Sequence, residues 1–190
     1  GFYYNNWDRL HAIQDRWAAE HPEDLDGAGW EEEFERVREQ KDLYQDRFMI
    51  VSRSPYSNVP AGALGLDPEE WSALSLAIRT GHEAAHYFTR RAFGSMKNRL
   101  HDELIADYMG ITGAVGRYRQ EWFLRFIGLE GYPAYRAGGR LENYRGDPPL
   151  SDGAFRILQA LARDAARHLQ EVDDRRREGT ATPGGRAAVL

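Results

Sequence analysis

Apolar residues recur at helical spacing along most of this chain. Trp7, Leu10, Ile13 and Trp17 fall three and four residues apart, which predicts a first helix within residues 2–20, ended by His21-Pro22. After Gly27-Ala28-Gly29, the stripe Trp30, Phe34, Val37, Tyr44 and Phe48 predicts one second helix. Glu31 to Glu33 fall in its first turn, where negative charge suits the helix dipole. From Met49 to Gly65, β-branched residues give way to Ser-Pro and Val-Pro, the pattern of a loop with at most one short strand. Arg47 to Ser52 is the candidate for that strand.

Asp67-Pro68-Glu69-Glu70 reads as a helix start, with an N-cap acid, proline at the first helical position and acidic residues in the first turn. Trp71, Leu74, Ile78, His82 and Ala85 carry that third helix to about Phe93. Gly94-Ser95 breaks the pattern. A fourth run from about Met96 puts Leu100, Leu104, Ile111, Val115, Tyr118, Trp122 and Phe126 on one stripe, and pairs with the third as an antiparallel hairpin. Gly110, Gly113 and Gly116 inside it each cost about 1 kcal/mol relative to alanine, so they signal close packing or a bend. Residues 129–150 have no period and read as a long structured loop, of the kind that often closes over a pocket. Phe155, Leu158, Ala162, Ala165 and Leu169 define a last helix. The expectation is an all-α fold: an irregular five-helix bundle in one domain over 1–174, with a flexible tail at 175–190.

Composition removes several function classes. No apolar stretch is long enough to span a bilayer, so no membrane role is expected. The net charge of -5 has the wrong sign for a protein that lives on a phosphate backbone, and nucleic acid is not an expected partner. With no cysteine, disulfides, thiolate nucleophiles and iron–sulfur clusters are excluded. The first residues lack the basic and apolar regions of a secretory signal, which makes the cytoplasm the expected compartment.

The chemistry-bearing segment is His82-Glu83-Ala84-Ala85-His86, an H-E-x-x-H on a helix. Two imidazoles four residues apart share one face and can bind one metal ion, with Glu83 on the adjacent face. His101-Asp102-Glu103-Leu104-Ile105-Ala106-Asp107 supports it from the next helix. The pairs His86/Glu103 and His82/Asp107 share one midpoint, between Gly94 and Ser95, where the sequence independently signals a turn. One hairpin register therefore sets a carboxylate opposite each histidine. Two imidazoles and a carboxylate leave a metal with an open coordination position, and an unligated glutamate can take a proton. Hydrolysis of an amide or ester is the chemistry such a site supports. The same donors suit non-haem iron, so Fe2+ stands beside Zn2+, with zinc favoured because Glu83 has no job at an iron site.

HEAAH at 82–86 followed by ELIAD at 103–107 resembles the gluzincin group of zinc metallopeptidases. The resemblance implies that His82, His86 and Glu103 are zinc ligands, that Glu83 is the general base acting on water, and that Asp107 orients His82 from behind; from the residues alone, Asp107 in place of Glu103 stays open as the third ligand. Zincin peptidases hold an extended peptide against an edge strand ahead of the motif helix. Here a lone strand would have no sheet behind it, which points to a small-molecule, short-peptide or otherwise compact substrate. Two other classes stay open: a non-hydrolytic metalloenzyme (lyase, cyclase or iron-dependent oxidation) and a non-catalytic helical scaffold in which these groups form a buried polar network. His101 points away from the shared face and reads as surface. Tyr108 and Tyr118 read as core aromatics, with an oxyanion-stabilising role as the alternative. Tyr132, Tyr135 and Tyr144 are the aromatic residues a closing loop would bring.

Overall fold

The structure, a computed structural model, describes residues 2–24, 27–94 and 99–181. The fold is all-α, with only two four-residue strands among the described residues. Its contacts divide the chain into two compact units, Gly1–Ile50 and Val51–Leu190, where the hydrophobic pattern reads as one domain.

In the first unit β1 (Phe2–Asn5) precedes α1 (Trp7–Glu20), α2 (Ala28–Glu39), a 3-10 turn at Lys41–Leu43 and β2 (Gln45–Phe48). The strands pair antiparallel, with Tyr3 opposite Arg47 and Asn5 opposite Gln45. The first helix begins at Trp7, the first residue of its stripe, because Asn6 caps it by accepting from the Arg9 backbone N–H at 3.1 Å and the aromatic run before it extends into a strand. The second helix stops at Glu39 rather than near residue 48. Gln40 leaves helical geometry, and the Tyr44 carbonyl accepts the Asn6 N–H at 2.7 Å, tying the exit of α2 to the entry of α1. The strand expected at 47–52 lies at 45–48. Leu10, Val37 and Tyr44 form this unit's small core, while Trp7 stays exposed.

In the second unit α3 (Pro68–Phe93), α4 (Arg99–Val115), α5 (Gln120–Ile127) and α6 (Asp152–Ala181) enclose a core of Trp71, Ile78, Ile111, Trp122, Phe123 and Phe126. Asp67 caps α3 by accepting the backbone N–H groups of Glu69 and Glu70, as its sequence predicts. α3 and α4 run antiparallel. Gly81 and Gly110 meet where they cross, so close packing is the reason for Gly110. Ser95, the second residue of the expected turn, and residues 96–98 lie outside the described residues.

The fourth apolar run is two helices, not one, which makes six in all among the described residues. Gly116 takes φ of 72°, a conformation other residues rarely adopt, and ends α4. Asp173 of α6 then accepts the Tyr118 N–H at 2.9 Å, the Tyr108 hydroxyl at 2.9 Å and Arg177 Nε at 3.2 Å, holding the break in place. Of the tail expected at 175–190, residues 175–181 continue α6, and the remainder lie outside the described residues.

The stretch after α5 folds back on itself. The backbones of Gly128 and Gly139 touch, Arg136 N–H donates to the Gly128 carbonyl at 2.9 Å, and a 3-10 turn follows at Arg140–Tyr144. Leu129 and Leu141 are buried and anchor its two ends.

Candidate metal centre

The α3–α4 crossing sets His82, His86 and Glu103 facing one another. The imidazole Nε2 atoms are 2.9 Å apart with the rings nearly perpendicular, and the Glu103 oxygens lie 3.4 Å from His82 Nε2 and 3.5 Å from His86 Nε2. One donor atom from each residue falls within 4.8 Å of the others.

Each imidazole is held from behind. Asp107 Oδ1 lies 3.0 Å from His82 Nδ1, and Asp102 Oδ2 lies 2.8 Å from His86 Nδ1. A carboxylate only accepts, so both Nδ1 atoms carry a hydrogen, and it is through Nε2 that each ring could ligate a cation in the shared space. Asp102 is itself fixed by the Thr89 hydroxyl, which donates to its other oxygen at 2.7 Å.

Behind Asp107 lies a buried hub. The Tyr56 hydroxyl donates to Asp107 Oδ1 at 2.6 Å and sits 2.8 Å from His82 Nδ1. Arg140 Nη1 donates to the same hydroxyl at 3.0 Å and to Ser57 Oγ at 3.2 Å, while Nη2 donates to Asp107 Oδ2. Burial and the Glu103 charge keep the Tyr144 hydroxyl protonated.

Burial alone would raise the Asp107 carboxyl, but the Arg140 guanidinium, His82 and Tyr56 outweigh it and hold it below the usual carboxylate range. Burial likewise opposes the Glu103 charge and is outweighed, chiefly by the His86 hydrogen bond and Arg140. Hydrogen bonding to Glu103 pushes His86 up, against its own burial. Burial and the Asp107 charge keep Tyr56 a neutral phenol. Three carboxylates, Asp102, Glu103 and Asp107, thus surround the imidazole pair against one guanidinium.

The residues fit a divalent cation. The two Nε2 atoms and the Glu103 oxygens face one space as a two-imidazole, one-carboxylate donor set, and the surplus carboxylate charge is of the matching size. His82, His86 and Glu103 would be its ligands, and Asp107 and Asp102 its ligands' supports.

The structure brings together four residues of the motif reading, His82, His86, Glu103 and Asp107, with Asp107 against His82 Nδ1. Glu83 is half-buried beside the ligands and takes no hydrogen-bond or ion-pair partner among the described residues. His101 is exposed. Tyr108 bonds Asp173, and the Tyr118 hydroxyl is buried without a partner among the described residues. Of the loop tyrosines, Tyr144 feels the Glu103 charge, Tyr135 donates to the Gly139 carbonyl at 2.6 Å and Tyr132 lies under Arg163.

A profile described as a family of unknown function, DUF7005, matches residues 3–190. The chain belongs to the DUF7005 family. No curated protein and no solved structure matches this DUF7005 chain. The DUF7005 match runs through both compact units and includes every residue of the metal-centre cluster.

Sequence reasoning missed Asp102, Thr89, Tyr56 and Arg140. The hairpin register that pairs His86 with Glu103 also brings Asp102 towards Thr89, so those two carried a usable signal. Tyr56 and Arg140 come from separate turns and carry none in their local pattern. Among the described residues of this DUF7005 chain, no helix is long and apolar enough to cross a membrane.

Proposed function

We propose that this DUF7005 protein is a metal-dependent hydrolase, with zinc as the preferred metal, that cleaves an amide, peptide or related bond in a small or compact substrate. One observation carries the reading: two imidazoles, each with Nδ1 tied to a carboxylate, turn their Nε2 atoms into one space beside a third carboxylate. A cation held there supplies Lewis acidity and makes water more acidic. Glu83 stands next to the ligands with no competing partner and takes the proton of the attacking water. Asp102 and Asp107 keep both rings oriented throughout.

The compact-substrate part rests on the second unit, which has no strand among its described residues and so offers no edge for an extended peptide. The gluzincin resemblance of HEAAH and ELIAD agrees with the same roles.

Elemental analysis of protein purified without added metal tests the reading, with His86→Ala alongside. About one equivalent of zinc, lost in the variant, is expected. An amide and ester screen then compares wild type with Glu83→Gln, which should keep its metal and lose roughly 100-fold or more in turnover. A chain that takes up no metal defeats the proposal, and stoichiometric iron moves it to oxygen-dependent chemistry.

A further inference from the structure

Tyr56 and Arg140 lie outside both motif helices, yet they converge on the same atoms as His82. The hydrogens leave little freedom. The Tyr56 hydroxyl has one hydrogen and directs it to Asp107 Oδ1 at 2.6 Å. Arg140 directs one hydrogen to the Tyr56 oxygen at 3.0 Å and another to Asp107 Oδ2. The Tyr56 oxygen, 2.8 Å from His82 Nδ1, is then an acceptor towards the imidazole, and so is Asp107 Oδ1 at 3.0 Å. An unprotonated Nδ1 would face two acceptors at once. The hub therefore admits one tautomer, with the hydrogen on Nδ1 and the lone pair on Nε2.

The hub is rigidly mounted. The Tyr56 backbone N–H donates to Ser75 Oγ of α3 at 3.1 Å, its ring meets Phe126 of α5 edge-on at 4.9 Å, and the Arg140 guanidinium lies over the ring at 5.4 Å. Tyr56 is 3% exposed, so water does not compete for its hydroxyl.

We infer that Tyr56 and Arg140 are positioning residues of the metal centre, which hold the His82 ring in the one tautomer and orientation that offers Nε2 as a ligand. The inference rests on the metal-binding reading above. It also accounts for the 129–150 stretch, which braces the histidine from behind through Arg140.

The test is a zinc titration against a competing chromophoric chelator, with the Co2+ absorption spectrum as a second readout, on wild type, His86→Ala, Tyr56→Phe, Arg140→Lys and Arg140→Gln. Tyr56→Phe keeps the ring and its packing and removes only the hydroxyl. It should retain wild-type helicity, bind zinc about 10- to 100-fold more weakly and show an altered cobalt spectrum. Arg140→Lys should recover part of the affinity that Arg140→Gln loses, because a lysine restores the charge on Asp107 but not the two-pronged geometry. If the glutamine variant does not fold, Tyr56→Phe decides. Folded Tyr56→Phe that binds zinc within about twofold of wild type, with an unchanged cobalt spectrum, overturns the inference while His86→Ala still reports an intact metal site. A wild-type chain that binds no zinc overturns the metal reading itself, and this inference with it.

Discussion

Gly81 and Gly110 bring the two motif helices together backbone against backbone. A Cβ on Gly81 would lie 3.0 Å from the Gly110 Cα, and one on Gly110 would lie 2.6 Å from the Ile78 carbonyl oxygen. That approach sets the distance across which His82 and His86 of α3 meet Glu103 of α4. Gly110→Ala should therefore push the helices apart, lowering stability by about 2 kcal/mol and weakening metal binding. Gly113→Ala is the control, since a Cβ there meets nothing within 4 Å, and it should stabilise α4 by up to about 1 kcal/mol. Urea denaturation reads both. Equal effects at the two positions would refute the close-contact account.

Asp102 should matter to the proposed metal site although it is placed behind a ligand. Its oxygens are shared between His86 Nδ1 and the Thr89 hydroxyl, so Asp102→Ala frees the ring to rotate and to choose the other tautomer. A loss of about 10- to 100-fold in zinc affinity is expected, with a smaller loss for Thr89→Val. Competition titration measures both, and an Asp102→Ala protein with wild-type affinity would show that His86 needs no support.

Metal removal should be visible as melting. At a free zinc concentration about 100-fold above Kd, a site present only in the folded chain contributes about 2.7 kcal/mol. For a chain of this size that corresponds to a rise of roughly 5–10 °C over protein held in chelator. Identical melting in zinc and in chelator would favour the helical scaffold.

Asp173 makes stability depend on acid. Burial opposes its charge, but the Tyr118 N–H, the Tyr108 hydroxyl and Arg177 prevail and hold its carboxyl below the usual carboxylate range. Its folded value lies below the unfolded one, so its contribution is complete above the unfolded value of about 3.9 and is lost as pH falls through the lower folded value. Wild type should exceed Asp173→Asn by about 2 kcal/mol at pH 6. The gap should narrow only below about pH 4. Denaturation at several pH values checks this, and a gap independent of pH would remove the charge from the explanation.

How much was legible in the sequence depended on how local each cause was. The caps and stripes of α3 and α6 are local, and their positions follow from the pattern. The candidate metal cluster is nearly local, since H-E-x-x-H lies on one helix and a single hairpin register brings Glu103 and Asp107 across. Gly116 shows the limit, because the apolar stripe runs on through it to Phe126 although its backbone turns away. Gln40 is similar, for the stripe persists to Phe48 while β1 draws residues 45–48 into a sheet. Tyr56 and Arg140 reach His82 and Asp107 from 26 and 33 residues away, along chain with no period to project.

The contact between Gly128 and Gly139 offers a handle on reactivity that touches no chemistry. A Cβ on Gly139 would fall 2.6 Å from both the Gly128 Cα and the Ile127 carbonyl oxygen, and Arg140 is the next residue. The reach of that guanidinium is thus gauged by how closely two strips of bare main chain can lie. An engineer wishing to loosen the proposed metal site by degrees could leave every proposed ligand untouched and work there, using Gly139→Ala as a first spacer.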